Sequence, residues 1–418
     1  MSENAQGLLR DLFQRAVEVA DPMKSLAAHL PEKPDGRVVV IGAGKASARM
    51  AEAVEEIWGP CDGLVLTRYG YARPTKGIEI VEAAHPVPDE AGQIATRRML
   101  ELVKGLGKDD FVLALISGGA SALLTAPAGN ITLAEKQEVN QKLLSSGAPI
   151  GQMNVVRKHL SQVKGGQLAA AAHPAKMLAL LLSDVPGDDP AEIGSGPTVG
   201  DTSTAADVKD ILTRWQIKVP ASVQSVLDTE TGVLPSDDKK LSRVTNTIFA
   251  APSQSLDAAK TLAGEHGCDV EILGDALEGE ARDVARAHAA LALQRLKERT
   301  AIERPLVLLS GGELTVTRRG DGVGGPNAEY ALALALALEG ANGVHAIACD
   351  TDGVDGAAEV AGAIIGPDTL TKAKAAGVSA EKALDINDAH TFFEHIGDQV
   401  VTGPTLTNVN DFRAIWIG

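Results

Sequence analysis

Short, continuous apolar runs that end in Gly, Ser or Asp and lead into helix-forming stretches constrain this chain more than any other feature. They occupy residues 38–41, 64–66, 78–81, 111–116 and 177–182. A half-exposed strand alternates apolar and polar residues. These runs do not, so their strands must be covered on both faces, as in a parallel sheet flanked by helices. The expected class is α/β. The pattern lapses between 202 and 240, where charged helical segments give way to the polar, turn-rich stretches 228–232 and 235–238. That lapse predicts a boundary near residue 240 and domains spanning 1–240 and 241–418. A second series, at 247–250, 269–273, 306–309, 344–348 and 363–365, predicts a second α/β domain. Residues 331–338 alternate Ala and Leu, but Ala is the best helix former and Pro326 suits a first helical turn, so a buried helix is predicted there. The tail, 399–402 and 406–417, is split by Gly403-Pro404 and reads as a closing hairpin.

Composition narrows the function classes. The 39 Lys+Arg against 55 Asp+Glu leave a net charge of −16, a field that repels nucleic acid and anionic membrane alike. Aromatics make up 3% of the chain, which leaves little material for stacking bases. Cys61, Cys268 and Cys349 form no CxxC pair, and a reducing compartment is the simplest reading. The first thirty residues read as an amphipathic helix rather than a signal peptide, and the longest apolar runs fall far short of the roughly 20 residues of a membrane span. A soluble cytoplasmic protein is expected.

Glycine turns follow three of the predicted strands. Residues 38–47 read VVVIGAGKAS, a strand entering a glycine turn and then a helix, where small residues let backbone N–H groups approach an anion. As a dinucleotide fingerprint the turn is incomplete: Ser47 stands where a third glycine belongs, and the second strand ends at Thr67 without a ribose-binding acid. Nor is it a Walker A loop, because Val39 takes the place of the first glycine. Lys45 is left at the strand end as a candidate catalytic cation. Ser117-Gly118-Gly119-Ala120-Ser121 repeats the logic, and Ser310-Gly311-Gly312-Glu313 does so in the second half. Both turns are candidate phosphate cradles, although either fits an ordinary chain reversal.

Carboxylates gather at two strand ends, Asp184, Asp188 and Asp189 in one and Asp350, Asp352 and Asp355 in the other. Such oxygen clusters suit Mg²⁺, which commonly takes one or two carboxylates plus substrate phosphates; turn-forming and helix-capping Asp residues would look the same. The candidate metal ligands are Asp184, Asp188, Glu313, Asp350 and Asp352, with Asp184 also a candidate general base. Between them lies the most informative segment. Residues 139–183 contain Lys142, Arg157, Lys158, Lys164 and Lys176 without one Asp or Glu, where the average acidity of the chain would place about six. Cations without neutralising acids are what an anionic ligand requires, with Arg able to grip a carboxylate or phosphate bidentately. Arg157 is a candidate catalytic residue, and Asn154, Lys158, His159 and Lys164 are candidate substrate or phosphate ligands. The loop Ala84-His85-Pro86-Val87-Pro88-Asp89 is a further candidate, although a lone His before Pro is more often structural.

Taken in order, GAGKAS, AAHPVPD, ISGGASALL, MNVVRKHLSQVKGGQLA, SDVPGDDPAEIGSGPT, SGGE, GGPNAEYALA and DTDGVDG resemble the glycerate 2-kinase family, and the last third resembles its MOFRL domain. Some members carry the name hydroxypyruvate reductase. The resemblance implies two three-layer α/β/α domains, the N-terminal one Rossmann-like, with the active site in the interdomain cleft. It also implies transfer of the γ-phosphoryl group of ATP, with Mg²⁺, to the 2-hydroxyl of D-glycerate, and it maps the catalytic lysine of the family onto Lys45. Lys45 and residues 117–121 would then hold phosphate oxygens, Arg157, Lys158 and His159 the glycerate carboxylate or the transferring group, and Asp184 or Asp188 the Mg²⁺ or the hydroxyl proton. Many members read GGRNQE where this chain has Gly324-Gly325-Pro326-Asn327-Ala328-Glu329, which leaves Arg318 or Arg319 as stand-ins for the missing arginine. The alternatives are an NAD(P)H-dependent hydroxypyruvate reductase and a noncatalytic nucleotide sensor. A homodimer is compatible with all three.

Overall fold

A computed structural model describes residues 2–229, 231–299, 303–356 and 358–418. The chain divides into two compact units, one formed by Pro22–Phe249 and the other by the residues up to Asp21 together with Ala250–Gly418.

The first unit is built on strands β1 (Val38–Ala43), β2 (Asp62–Arg68), β3 (Ile78–Ala83), β4 (Phe111–Ile116), β5 (Lys176–Leu182) and β6 (Val244–Ala250), in the order β3-β2-β1-β4-β5-β6. β1 pairs in parallel with β2 and β4, and β2/β3 and β4/β5 are also parallel. Every residue of β1 and β4 is buried, as continuous apolar strands require. On one face Val39, Ile41, Ala114, Ile116 and Ala179 share a core with Ala95 and Met99 of helix Glu90–Val103. Helix Ser47–Trp58 packs against β1, β2 and β4. The strand order reverses between β1 and β4, the switch point at which loops leaving the carboxyl ends of a doubly wound sheet diverge and leave a crevice.

Four helices form a separate layer in this unit. Leu133–Ser146, Ile150–His159, Ala205–Arg214 and Ala221–Leu227 bury Val139, Leu143, Val156, Leu160, Ile211 and Leu227 against one another. The first starts sharply: Thr132 and Glu135 form a reciprocal capping box, which satisfies two of the orphan N–H groups at the helix start.

The second unit carries β7 (Asp269–Gly274), the short pair β8 (Gly279–Glu280) and β10 (Leu314–Thr315), β9 (Leu306–Gly312), β11 (Val344–Asp350), β12 (Gly362–Ile365), β13 (Gln399–Val400) and β14 (Asp411–Ile417). Its main sheet runs β13-β12-β11-β14-β9-β7. The β7/β9 pair is parallel, and the other four pairs are antiparallel. Side chains alternate across β9. Leu306 and Leu308 join the core of helices Ala281–Glu298 and Pro326–Leu338, whereas Val307 and Leu309 join that of Pro252–Glu265 and Ser2–Ala20. This unit is therefore layered helix, sheet, helix. Residues 331–338 are helical, as expected. Among the described residues no helix is long and apolar enough to cross a membrane.

Three features differ from the sequence expectation. Helix Ser2–Ala20 belongs with the second unit, because Leu8, Leu9, Leu12, Phe13 and Ala16 form one apolar stripe that packs on that sheet. The strand expected to open the second series is β6, the edge of the first sheet, so the division falls near 250 rather than 240. The tail is not a hairpin. β12 and β11 separate β13 from β14, which pairs on both sides with β11 and β9 and is buried along most of its length.

Candidate anion-binding site

The carboxyl ends of β1 and β4 are tied into one rigid edge. Ser117 N–H donates to Ala43 O at 3.1 Å, Lys45 N–H to Gly118 O at 2.8 Å and Gly44 N–H to Leu66 O at 3.2 Å. The Ser117 hydroxyl accepts from Ala46 N–H at 3.1 Å and shares a 3.1 Å hydrogen bond with Ser47, whose hydroxyl lies 2.9 Å from Leu115 O. Gly44 makes this approach possible: its φ is +142°, and a Cβ there would fall 2.0 Å from the Ser117 Oγ. Ser117 is fully buried, so it serves as the clamp of the turn rather than an open phosphate ligand. Gly119 follows in the left-handed region at φ +82°, a conformation that favours glycine. A Cβ there would lie 3.1 Å from the His85 ring and 3.4 Å from the Lys45 Cγ, so the Gly118–Gly119 turn sits directly beside the Lys45 side chain.

Next to Gly119 is a small pocket of about 170 Å³, whose lining includes His85, Ser121, Lys136, Asn140, Arg157 and Lys164. Lys136, Arg157 and Lys164 converge on it from two helices and a loop. Lys164 is buried, and its Nζ donates to Ser121 O at 2.8 Å and Leu124 O at 3.1 Å. The Lys136 Nζ is buried 3.5 Å from Leu160 O. Arg157 donates to Asn154 Oδ1 at 3.1 Å. Burial, followed by the repulsion of Arg157, pushes the Lys136 ammonium down from 10.5 to about 8. Lys164 is held well below its usual value by burial and by both neighbouring cations, and burial also lowers Arg157. Desolvated like charges with no acid among them describe a site that waits for an anion.

The other basic residues of the acid-free segment go elsewhere. Lys158 is buried between Glu192 at 2.9 Å and Asp201 at 2.5 Å. Burial opposes its charge, but the hydrogen bonds to Asp201 and Glu192 outweigh it and raise the ammonium above its usual range. His159 is buried between Thr231 (2.6 Å) and Ser203 (3.1 Å), and burial lowers its pKa. Neither lines the pocket, which departs from the role expected for both. Asn154 touches it indirectly, accepting from Arg157 while its Nδ2 donates to Glu192 at 2.6 Å. Lys142 and Lys176 are surface groups; Lys142 pairs with Glu138. Ser121 lines the pocket and also meets Ser195 at 2.8 Å, while Ala120 opens the short helix after Gly119.

Lys136 escaped the sequence reading because Glu135 and Glu138 flank it and place it outside the acid-free run. A signal was present: Lys136 stands three and seven residues before Val139 and Leu143, on the apolar face of its own helix, where a lysine must be drawn inward.

Ser310, Gly311 and Gly312 do not form a second turn. They are the last residues of β9, paired with β14, and Arg413 occupies their polar groups: its guanidinium donates to Gly311 O at 2.6 Å and to the Ser310 Oγ at 3.4 Å. Glu313 is exposed, and Asp350 ends β11. Asp352 is buried and accepts Val354 N–H at 2.8 Å, a turn role. Asp355 accepts the N–H groups of Asn327 (3.0 Å) and Ala328 (2.8 Å), so its carboxylate already fills the helix start at Pro326. Arg318 and Arg319 have exposed side chains.

Asp184 is the second residue beyond the end of β5 and is half-buried. Four residues on, the Asp188 Oδ1 is buried without a hydrogen-bond partner. Among the described residues no group of three or more His, Cys, Asp or Glu side chains is placed to hold a metal ion.

Known proteins resemble the chain along its whole length. Residues 8–228 match the family model described as Domain of unknown function (DUF4147), and residues 306–411 match the MOFRL family. A protein of Agrobacterium vitis, provisionally named a hydroxypyruvate reductase, is 51% identical over 99% of this chain and 95% of its own length. The D-glycerate 2-kinase of Thermotoga maritima is 40% identical over 98% of this chain and 97% of its own. The crystal structure of a glycerate kinase from Thermotoga maritima covers 100% of both chains at 39% identity, with a TM-score of 0.90. The chain belongs to the glycerate 2-kinase family and carries the DUF4147 and MOFRL parts in that order.

Proposed function

We propose that the chain transfers the γ-phosphoryl group of ATP to the 2-hydroxyl of D-glycerate. The observation that carries the reading is the pocket in which Lys136, Arg157 and Lys164 meet beside the Lys45 turn with no carboxylate in its lining. At about 170 Å³ it lies below the roughly 300–1,000 Å³ of drug-sized sites, so it suits a three-carbon acid or one phosphoryl group rather than a whole nucleotide. The full-length relatives named as glycerate kinases support the reaction class.

Phosphoryl transfer asks a protein mainly for positioning and charge stabilisation. The clamp between Ser117, Ala46 and Ser47 fixes the turn from which Lys45 reaches phosphate oxygens. Arg157 and Lys164 hold the anionic end of glycerate or the transferring group. Asp184 accepts the proton of the 2-hydroxyl as its oxygen attacks phosphorus. The orphaned Asp188 oxygen fits a cation, so Asp188 would hold Mg²⁺, with further ligands from the nucleotide phosphates. Mg²⁺ there would neutralise charge on the phosphate oxygens.

The test is incubation of the purified chain with D-glycerate and Mg·ATP, following ADP, and separately with hydroxypyruvate and NADH or NADPH. ADP formed only when D-glycerate is present supports the kinase; consumption of NAD(P)H with hydroxypyruvate and no ADP overturns it. Ser47 favours the first outcome. A dinucleotide-binding turn keeps a glycine there for close packing of helix on strand, whereas here the Ser47 hydroxyl is bonded to β4.

A further inference from the structure

We infer that the pocket of Lys136, Arg157 and Lys164 is the subsite for the carboxylate of the hydroxy acid, and that filling it draws a proton from solvent onto a pocket lysine. The inference rests on the proposed kinase reading for its substrate, but its chemistry is read from the pocket.

The groups that face these cations come from four directions. His85 lies in the loop after β3, Ser121 follows the Gly118–Gly119 turn, Asn140 is on helix Leu133–Ser146, and Arg157 and its partner Asn154 are on helix Ile150–His159. The nearby acids are engaged elsewhere. Glu135 caps its own helix and accepts from Ser222, and Glu138 pairs with Lys142. Asp89 accepts from Tyr69 and Gly92, and Glu192 serves Asn154 and Lys158.

With no carboxylate available, the empty pocket must either hold three like charges or release a proton. Arg157 cannot release one, because guanidinium stays charged in proteins; a buried lysine can. Burial first, and then the neighbouring cations, hold Lys136 and Lys164 below their usual values. An entering carboxylate reverses the balance by pairing with the ammonium form, so a neutral amine takes up one proton and no covalent bond changes. Arg157 supplies a permanent charge and bidentate geometry, and the lysines supply charge on demand. A permanently charged trio would bind the acid more tightly, but only by destabilising the empty protein. The pocket thereby selects acids over alcohols, since glycerol carries the same three carbons and no charge to drive the proton in.

Titration calorimetry tests this without turnover. D-glycerate is added to the protein, nucleotide absent, at about pH 8.5, just above the Lys136 value, in buffers of different ionisation heat. The wild type is expected to show a binding heat that varies with the buffer in the sense of proton uptake. Glycerol is expected to give no binding. Lys136→Arg, whose charge is permanent, should bind D-glycerate with reduced uptake. Lys136→Met should lose roughly tenfold or more in affinity, the scale of a lost charge-assisted hydrogen bond. A buffer-independent heat in the wild type, or full affinity in a folded Lys136→Met, overturns the inference. Inorganic phosphate that binds with proton uptake while D-glycerate does not would overturn the carboxylate assignment. Proton-linked D-glycerate binding without ADP formation in the kinase assay would refute the kinase reading and leave the subsite standing.

Discussion

Replacing Lys136 by Met removes a buried charge while nearly preserving side-chain length, and the empty protein is expected to become more stable. The folded-state pKa is about 8 against an ordinary 10.5. Below about pH 8 the lysine is charged in both folded and unfolded chains, and the folded state bears the full cost of that shift, roughly 3 kcal/mol. As pH rises from about 8 toward 10.5 the folded protein loses its proton first, and the cost fades. Methionine avoids the cost at every pH. It gives up the hydrogen bond to Leu160 O, long at 3.5 Å and worth at most about 0.5–1.5 kcal/mol. The net gain at neutral pH is therefore roughly 1–3 kcal/mol, and at about 2–4 °C per kcal/mol for a unit of this size the midpoint should rise by several degrees. Thermal unfolding of both proteins at pH 7 and near pH 10 checks this, because the variant should lead at neutral pH and lose its lead in alkali. A variant that is less stable at pH 7, or a gain independent of pH, would refute the reasoning. A gain in stability together with weaker binding of D-glycerate is the trade-off expected of a residue kept for function.

Other substitutions separate the roles of neighbouring groups. Lys158→Met strands Glu192 and Asp201 without their cation; a broken buried pair costs about 3–5 kcal/mol, and these partly exposed acids place it nearer 2–3, seen as a lower unfolding midpoint with little change in D-glycerate affinity. Lys45→Met should slow the chemical step at least roughly tenfold, about 1.4 kcal/mol of barrier, in single-turnover measurements, with folding intact; near-normal turnover would remove Lys45 from the mechanism. Gly119→Ala places a methyl in the left-handed region against His85 and Lys45, costing about 1–2 kcal/mol from backbone strain alone, and should raise the KM for D-glycerate as well as lowering the midpoint in a thermal melt.

The parts of this molecule that could be read from sequence were those set by local pattern. β1, β4 and β5 are continuous apolar runs, and only a doubly covered sheet accommodates them. β6 reads from sequence as the start of the second series because Val244-Thr245-Asn246-Thr247 is polar at an edge, and helix Ser2–Ala20 reads as part of the first domain because its apolar stripe packs on strands some three hundred residues away. The same string, Ser-Gly-Gly, has two fates. At Ser117 the chain leaves the sheet for a turn, whereas at Ser310 it stays in β9 because β14 pairs with it, and nothing within the string decides between them. Charge counting along the chain located Arg157 and Lys164 but could not see that Glu192 and Asp201 return to neutralise Lys158. Nor could it see that Lys136, flanked by acids in sequence, meets none of them in the pocket.

Phosphorus NMR of the products formed from D-glycerate and Mg·ATP bears most directly on the central claim. The signal of 2-phosphoglycerate growing in step with ADP is the expected result. ADP accompanied by 3-phosphoglycerate would contradict attack by the 2-hydroxyl, and no phosphoglycerate at all would contradict the kinase.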